Sequence, residues 1–163
     1  MAIDVYLQIE GVKGESQDDG HRDWIECDSV NWGVLQPRSA TSSTGGGHTA
    51  ERAELQEVSF RKVADIATPV LLQTCAAGRT IPKAKFEFMR ADGQGKPIRY
   101  FSIELENVLI GAITPGIEAG SILSEYVSLK FSKVKWAYTQ QKVGGGAGGS
   151  TVGGWDLAAN KVA

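Results

Sequence analysis

Hydrophobic and polar residues alternate from the start of the chain: Ile3, Val5, Leu7 and Ile9 share one parity, and Asp4, Tyr6, Gln8 and Glu10 share the other. A period of two places the aliphatics on one face, which predicts a half-buried strand. Gly11, Gly14 and the polar run from Glu15 to Gly20 end it, with Asp19-Gly20 a good turn pair. A second extended region spans about Trp24 to Val34, but its parity changes. Ile25 and Cys27 fall on one side, whereas Val30, Trp32 and Val34 fall on the other, so a bend is expected near Asp28 and Ser29. Extended structure resumes from Leu55 to Val63 with Val58 and Phe60 inward. Later, Ala84, Phe86 and Phe88 alternate with Lys83, Lys85 and Glu87, and Arg90 to Pro97 reads as a hairpin connection.

The next two extended segments are both too long and both change phase. From Ile98 to Ile113, Phe101, Ile103 and Leu105 give way to Val108, Ile110 and Ala112 across Glu106-Asn107. From Tyr126 to Tyr138, Val127, Leu129 and Phe131 give way to Val134, Trp136 and Tyr138 across Ser132-Lys133. A one-residue slip marks a place where a strand bends from one layer to another. Straight, these segments would reach roughly 40 to 50 Å, more than twice the usual strand. They are therefore expected to turn corners, which predicts a mainly β fold: an antiparallel barrel or sandwich of two sheets with one short helix.

The helix is punctuated between Thr68 and Gly78. Thr68 suits a cap, Pro69 the first helical position and Gly78 a left-handed stop, giving a helix from Pro69 to Ala77. Asp65 and Arg79 carry the charges that favour each end of the helix dipole. Val70, Leu71, Leu72, Cys75 and Ala76 make it apolar nearly all round, a composition that calls for burial on several sides. Two arrangements supply it: the helix plugs the open end of its own barrel, or a neighbouring subunit also covers it.

Gln36 to about Arg52 has no hydrophobic period and holds Pro37, a Ser/Thr cluster and Gly45 to Gly47, so it reads as a long loop that needs a functional reason. The tract from Gly144 to Gly154 reads as loop or tail, followed by a short closing strand at Trp155 to Leu157. One domain over 1–163 is expected. The net charge of −2, with interspersed signs, leaves no basic face for a row of phosphates, so nucleic acid is not expected as a partner. No run of about 20 apolar residues predicts membrane insertion, and the opening residues lack the basic and apolar regions of a cleaved signal.

The sequence offers little catalytic chemistry, and no enzyme is predicted. The segment Gly45 to Arg52 lacks the Lys-Ser/Thr pair of a phosphate-binding loop. His21 and His48 lie in polar segments with no triad or metal spacing and are expected to be solvated. Asp18 and Asp19 read as turn residues, and Glu104 and Glu106 as the solvated face of a strand. Cys27 and Cys75 sit in apolar settings without metal-type spacing, which suggests buried reduced thiols, although a disulfide between them is left open. No cofactor or metal is expected.

Four segments nevertheless carry a resemblance: AIDVYLQIEGVKGES, SFRKVADIATPVLLQTCAAGR, SEYVSLKFSKVKWAYTQQK and GGWDLAANK. In this order they resemble the Hcp family, the haemolysin-coregulated proteins of bacterial type VI secretion systems. The resemblance implies a tail-tube-like barrel with one helix, and homohexameric rings that stack into the inner tube of a contractile machine. It further implies a spike protein, a contractile sheath and small secreted effectors as partners, and residence in the bacterial cytoplasm until export without a cleaved signal. In such a ring the stretch from Gln36 to Arg52 matches the loop that meets the next ring, making Arg38, Ser42, Gly46, His48 and Arg52 candidate stacking residues. Ser29 and Asn31 become candidates for the lumen, and Val70, Leu71, Leu72 and Cys75 for subunit packing. Two other readings are a phage-like tail-tube protein and a monomeric β-sandwich binding module; three of the four tryptophans lie in predicted strands rather than at loop tips, which weakens the second.

Overall fold

Alternation governs what the computed structural model contains, which describes residues 4–37 and 52–163. The first strand, β1 (Asp4–Ile9), buries Val5, Leu7 and Ile9. Next come β2 (Ile25–Cys27) and β3 (Ser29–Asn31), separated at Asp28, whose backbone N–H donates to Arg61 O at 2.8 Å. The expected bend is therefore real: β2 pairs with β1, while β3 pairs with β6 (Val58–Val63). Between β3 and β6, the short strands β4 (Val34–Leu35) and β5 (Glu54–Leu55) pair antiparallel as the stem of the long connection.

Beyond the single helix α1 (Ala67–Ala77) lie β7 (Ile81–Ala91), β8 (Pro97–Gly116), β9 (Ser124–Lys130), β10 (Lys133–Gln141), β11 (Ala147–Asp156) and β12 (Lys161–Val162). The first sheet runs β2-β1-β7-β8-β10-β11-β12, and the second runs β3-β6-β9-β8. The 20-residue β8 belongs to both: Phe101 to Glu106 pair with β10, whereas Leu109 to Gly116 pair with β9. At its corner Asn107 takes a positive φ of 52°, which asparagine tolerates better than most residues. The second expected slip breaks one predicted strand into β9 and β10. Both corners meet: Asn107 Nδ2 donates to Ser132 Oγ at 3.0 Å, and Ser132 N–H donates to Glu106 O at 3.1 Å. The layers are joined at such corners but are not closed into a barrel, so the fold is sandwich-like. Its apolar core is centred on Leu7, Phe60, Phe86, Ile103 and Leu129.

The helix starts two residues earlier than its punctuation suggests. Pro69 is the third helical residue, still within the first turn, where its missing N–H leaves no bond unmade. Thr68 is not the cap: Asp65 Oδ1 accepts from Ala67 N–H at 3.0 Å, and Thr68 Oγ1 accepts from Asp65 N–H at 3.0 Å. These reciprocal bonds form a capping box one residue ahead of Ile66. Gly78, at φ 63°, closes the other end as expected.

The glycine tract is largely strand rather than loop or tail. Lys142 to Gly146 make a turn with positive φ at Gly144, Gly145 and Gly146, after which Ala147 to Asp156 pair along β10. Gly153 lies opposite Trp136, where a Cβ would sit 4.0 Å from the indole, in ordinary van der Waals contact. Depletion of glycine from strands is only a tendency, and here an aromatic neighbour supplies the cover.

Candidate assembly surfaces

The residues expected to take part in assembly fall on three surfaces: the outward face of the second sheet, the exposed flanks of the helix and the stem of the long connection. The second sheet turns Val58, Phe60, Val127 and Leu129 inward. Registers Ser29↔Arg61, Asn31↔Ser59, Ser59↔Ser128 and Arg61↔Tyr126 therefore set the outward face, which Ala112 and Thr114 of β8 continue. Ser29 is half-buried and Asn31 exposed, on the side of β3 away from the core. The face is mostly hydroxyl, amide and small side chains. Lys130 lies 3.8 Å from Glu57 at one rim, and Arg61 is the remaining charge among its described residues.

The helix packs on β8 through one side only. Ala67, Thr68, Leu71 and Thr74 are buried, with Leu71 fully so. Cys75 is half-buried, its thiol donating to Ile110 O at 3.5 Å. Val70 and Leu72, on the two flanks, each keep 40 % of their surface exposed, and Ile66 keeps 57 %. Of the two arrangements open from sequence, the protomer by itself provides burial on one side of the helix.

At the loop stem, Arg52 Nη2 donates to Leu157 O at 3.4 Å, so the base of the connection touches the closing segment. Leu157 N–H in turn donates to Ser132 O at the corner. Arg38, Ser42, Gly46 and His48 lie outside the described residues.

Two polar clusters were not foreseen. Lys62 and Glu125, both fully buried, sit opposite each other in the register, with Nζ 2.5 Å from Oε1. Lys62 also reaches Asp65 Oδ1 at 2.7 Å, and Thr68 Oγ1 donates to Glu125 Oε1 at 2.9 Å. The cluster ties the start of α1 to β6 and β9, while Glu125 Oε2 has no hydrogen-bond partner among the described residues. The sequence signal was there: Lys62 follows Val58 and Phe60 on the inward parity, and Glu125 precedes Val127 and Leu129 on theirs.

His21 corrects the expectation of a solvated histidine. It is 4 % exposed, stacked on Tyr6 at 4.3 Å, with Nδ1 2.6 Å from Asp18 Oδ2 and Nε2 3.1 Å from Glu87 Oε1. Ionised carboxylates only accept, so this bridge is complete when both ring nitrogens carry protons. Asp18 is thus more than a turn residue. Glu87 is 66 residues distant from His21 in sequence, which local patterning does not reveal. Burial alone would raise the Glu87 carboxyl, but the hydrogen bond from Arg99, the charges of Lys85 and Arg99, and the bond from His21 together hold it below its ordinary value. Burial pushes the Cys27 thiol well up, as it does the Tyr6 phenol with help from Asp18, Asp4 and Glu26. Cys27 and Cys75 are both free, the first buried and the second half-buried.

A groove of about 680 Å³ opens over the first sheet between Arg22, Asp23, Lys83, Lys85, Glu104 and Glu106, where opposite charges balance. Among the described residues no group of three or more His, Cys, Asp or Glu is arranged to hold a metal ion, and no helix is long and apolar enough to cross a membrane.

These features define a class, the tube-like β-sandwich with one helix, and comparison with known proteins narrows it. Residues 6–138 match the family described as "Type VI secretion system effector, Hcp". The chain is 35 % identical over 162 residues to "Protein hcp1" of Pseudomonas aeruginosa, covering 98 % of each. Among solved structures it is similar to Hcp1 from Salmonella typhimurium, with a TM-score of 0.83, 30 % identity and full coverage of both chains. A structure described as a type six secretion system protein gives a TM-score of 0.91 at 27 % identity, covering 99 % of this chain and 100 % of that one. The chain belongs to the Hcp family of type VI secretion tube subunits.

Proposed function

We propose that this protein, as a single domain, forms hexameric rings that stack into the type VI inner tube, leave the cell with it and carry small effectors in the lumen. The observation that carries the reading is the outward face of the second sheet, whose Ser29, Asn31, Ser59, Ser128 and Thr114 make a hydrated surface nearly free of charge. Such a surface suits a channel wall that passes protein without gripping it. Among the described residues, β3 and the second half of β8 bound this sheet, so its two edges suit side-by-side repetition. Val70 and Leu72 would bury against a neighbouring subunit, and the connection from Gln36 to Arg52 would meet the next ring. The spike, the sheath and the effectors are the partners of such a tube. Its subunit has a structural rather than catalytic role and resides in the cytoplasm until firing, with no signal cleaved.

Light scattering and native mass spectrometry on the purified protein test this. Six copies are expected, and replacing both Val70→Asp and Leu72→Asp should yield monomers whose melting temperature is nearly unchanged, since exposed sites usually shift stability by less than about 0.5 kcal/mol. A wild-type protein that stays monomeric at high concentration would overturn the ring.

A further inference from the structure

The charge left on the second sheet's outward face has a specific setting. Arg61 lies on β6, opposite Ser29 on one side and Tyr126 on the other. Its guanidinium carbon is 5.7 Å from the centre of the Tyr126 ring, and Nη2 donates to Ser124 Oγ at 3.3 Å. No carboxylate lies within ion-pairing distance of it among the described residues, whereas Lys130 on the same face has Glu57, and Lys85 and Lys133 on the first sheet have Glu104 and Glu106. Most of its donor fork is unused. The tyrosine and the serine hold the group in place, which lowers the ordering cost of a further contact.

We propose that Arg61, positioned by Tyr126 and Ser124, selects protein cargo that presents an acidic segment to this face. The inference rests on the lumen reading above, and names the class of effector the lumen takes. A carboxylate accepts two parallel bonds from a guanidinium, a match that a neutral wall of hydroxyls does not provide. In a ring the site repeats around the channel, so a segment with several carboxylates would engage several copies and gain by effective concentration. A nucleic acid fits less well. One tyrosine per protomer is a small platform for stacked bases.

The test uses fluorescence anisotropy with three labelled probes: a short aspartate-serine peptide, its lysine-serine counterpart and a thymidine oligonucleotide, at low and high salt. Native mass is read on the same samples. The acidic peptide should bind about tenfold more tightly than the basic one at low salt, and Arg61→Gln should remove that preference. Arg61→Glu should reverse it. Because Arg61 is exposed, both variants should keep the wild-type melting temperature and native mass. A hexamer that binds neither peptide, or binds both equally, overturns the acidic-cargo inference and leaves the ring intact. Tighter binding of the oligonucleotide than of the acidic peptide also overturns it, by making the site a general anion site. A monomer that binds the acidic peptide in an Arg61-dependent way sinks the ring and keeps the role of Arg61.

Discussion

The two sheets obey the same alternation and place their charges on opposite sides. On the first sheet charge is outside: the registers Lys83↔Glu106↔Lys133 and Lys85↔Glu104↔Lys135 make two rows of alternating sign over β7, β8 and β10. On the second sheet the outward face is nearly neutral, and a charged pair, Lys62 opposite Glu125, lies inside. A strand face in water takes charges at little cost, whereas a face that meets other molecules must lose water to do so. The first sheet thus carries its charges where it meets water, and the second, which we propose lines the channel, keeps its outward face nearly neutral. Its inner pair also fastens the helix, the element whose exposed flanks we assign to a neighbour, so a sheet that is neutral outside carries its polar bonding within.

Breaking the inner pair should have the largest effect. Lys62→Met removes the cation and leaves Glu125 buried beside Asp65, at a cost of about 3 to 5 kcal/mol in urea unfolding. Lys62→Met with Glu125→Leu should recover most of it, because an apolar pair avoids the unmet charge. A single variant that unfolds within about 1 kcal/mol of wild type would mean the inner pair behaves like the outer rows, and the contrast between the sheets would fall.

The helix ranks next. Leu71→Ala should cost about 2 to 5 kcal/mol, because Leu71 is fully buried and its removal leaves a cavity between α1 and the sandwich. Unchanged thermal stability would refute that burial. Since Leu71 points inward while Val70 and Leu72 do not, its loss should lower stability in monomer and ring alike, in contrast to the flanking substitutions.

How far this arrangement could be read from sequence follows from the range of each signal. The corners at Asp28, Asn107 and Ser132 were legible, because a parity change is local and each fell where the hydrophobic phase slipped. The inward sides of Val58 and Phe60 were legible for the same reason. Lys62 was not recognised on that parity, although its position followed from it, because a buried lysine makes sense only once Glu125, far along the chain, is seen opposite. His21 was hidden in the same way, since its setting depends on Glu87 and Tyr6 from two other strands. The tract after Gln141 misled because glycine composition speaks for flexibility, while the backbone of β10 supplied a partner all the same. Of the surfaces, the outward side of Ser29 and Asn31 followed from parity. Arg61 did not stand out until Glu57 could be placed beside Lys130, which leaves Arg61 as the cation of that face without a carboxylate at ion-pairing distance among the described residues.

The His21 bridge has an intermediate effect and carries the pH dependence. His21→Ala leaves Asp18 and Glu87 without their shared donor, at a cost of about 1 to 3 kcal/mol. Glu87 gives a sharper check. Its carboxyl is held below its ordinary value of 4.5, so its contribution is fully present above that value and is lost as pH falls through the lower, folded-state value. The melting-temperature gap between wild type and Glu87→Gln should therefore shrink as pH falls below about 4.5. A gap that widens in acid would reverse the sign assigned here.

The outer rows should matter least to stability. Lys85 lies 3.6 Å from Glu104 and Lys133 lies 3.7 Å from Glu106, each pair partly exposed. Glu104→Gln should cost only about 0 to 1 kcal/mol, and strong salt should erase the difference, because the Debye length falls to about 3 Å at 1 M. Lys62→Met should respond far less to the same salt, since ions do not screen a pair that water cannot reach. If both variants lost their effect together in salt, the second sheet's interior would be wet, and its neutral outer face would no longer mark a different kind of surface. If only Glu104→Gln does, the same strand pattern has set one group of ion pairs in solvent and one beyond its reach.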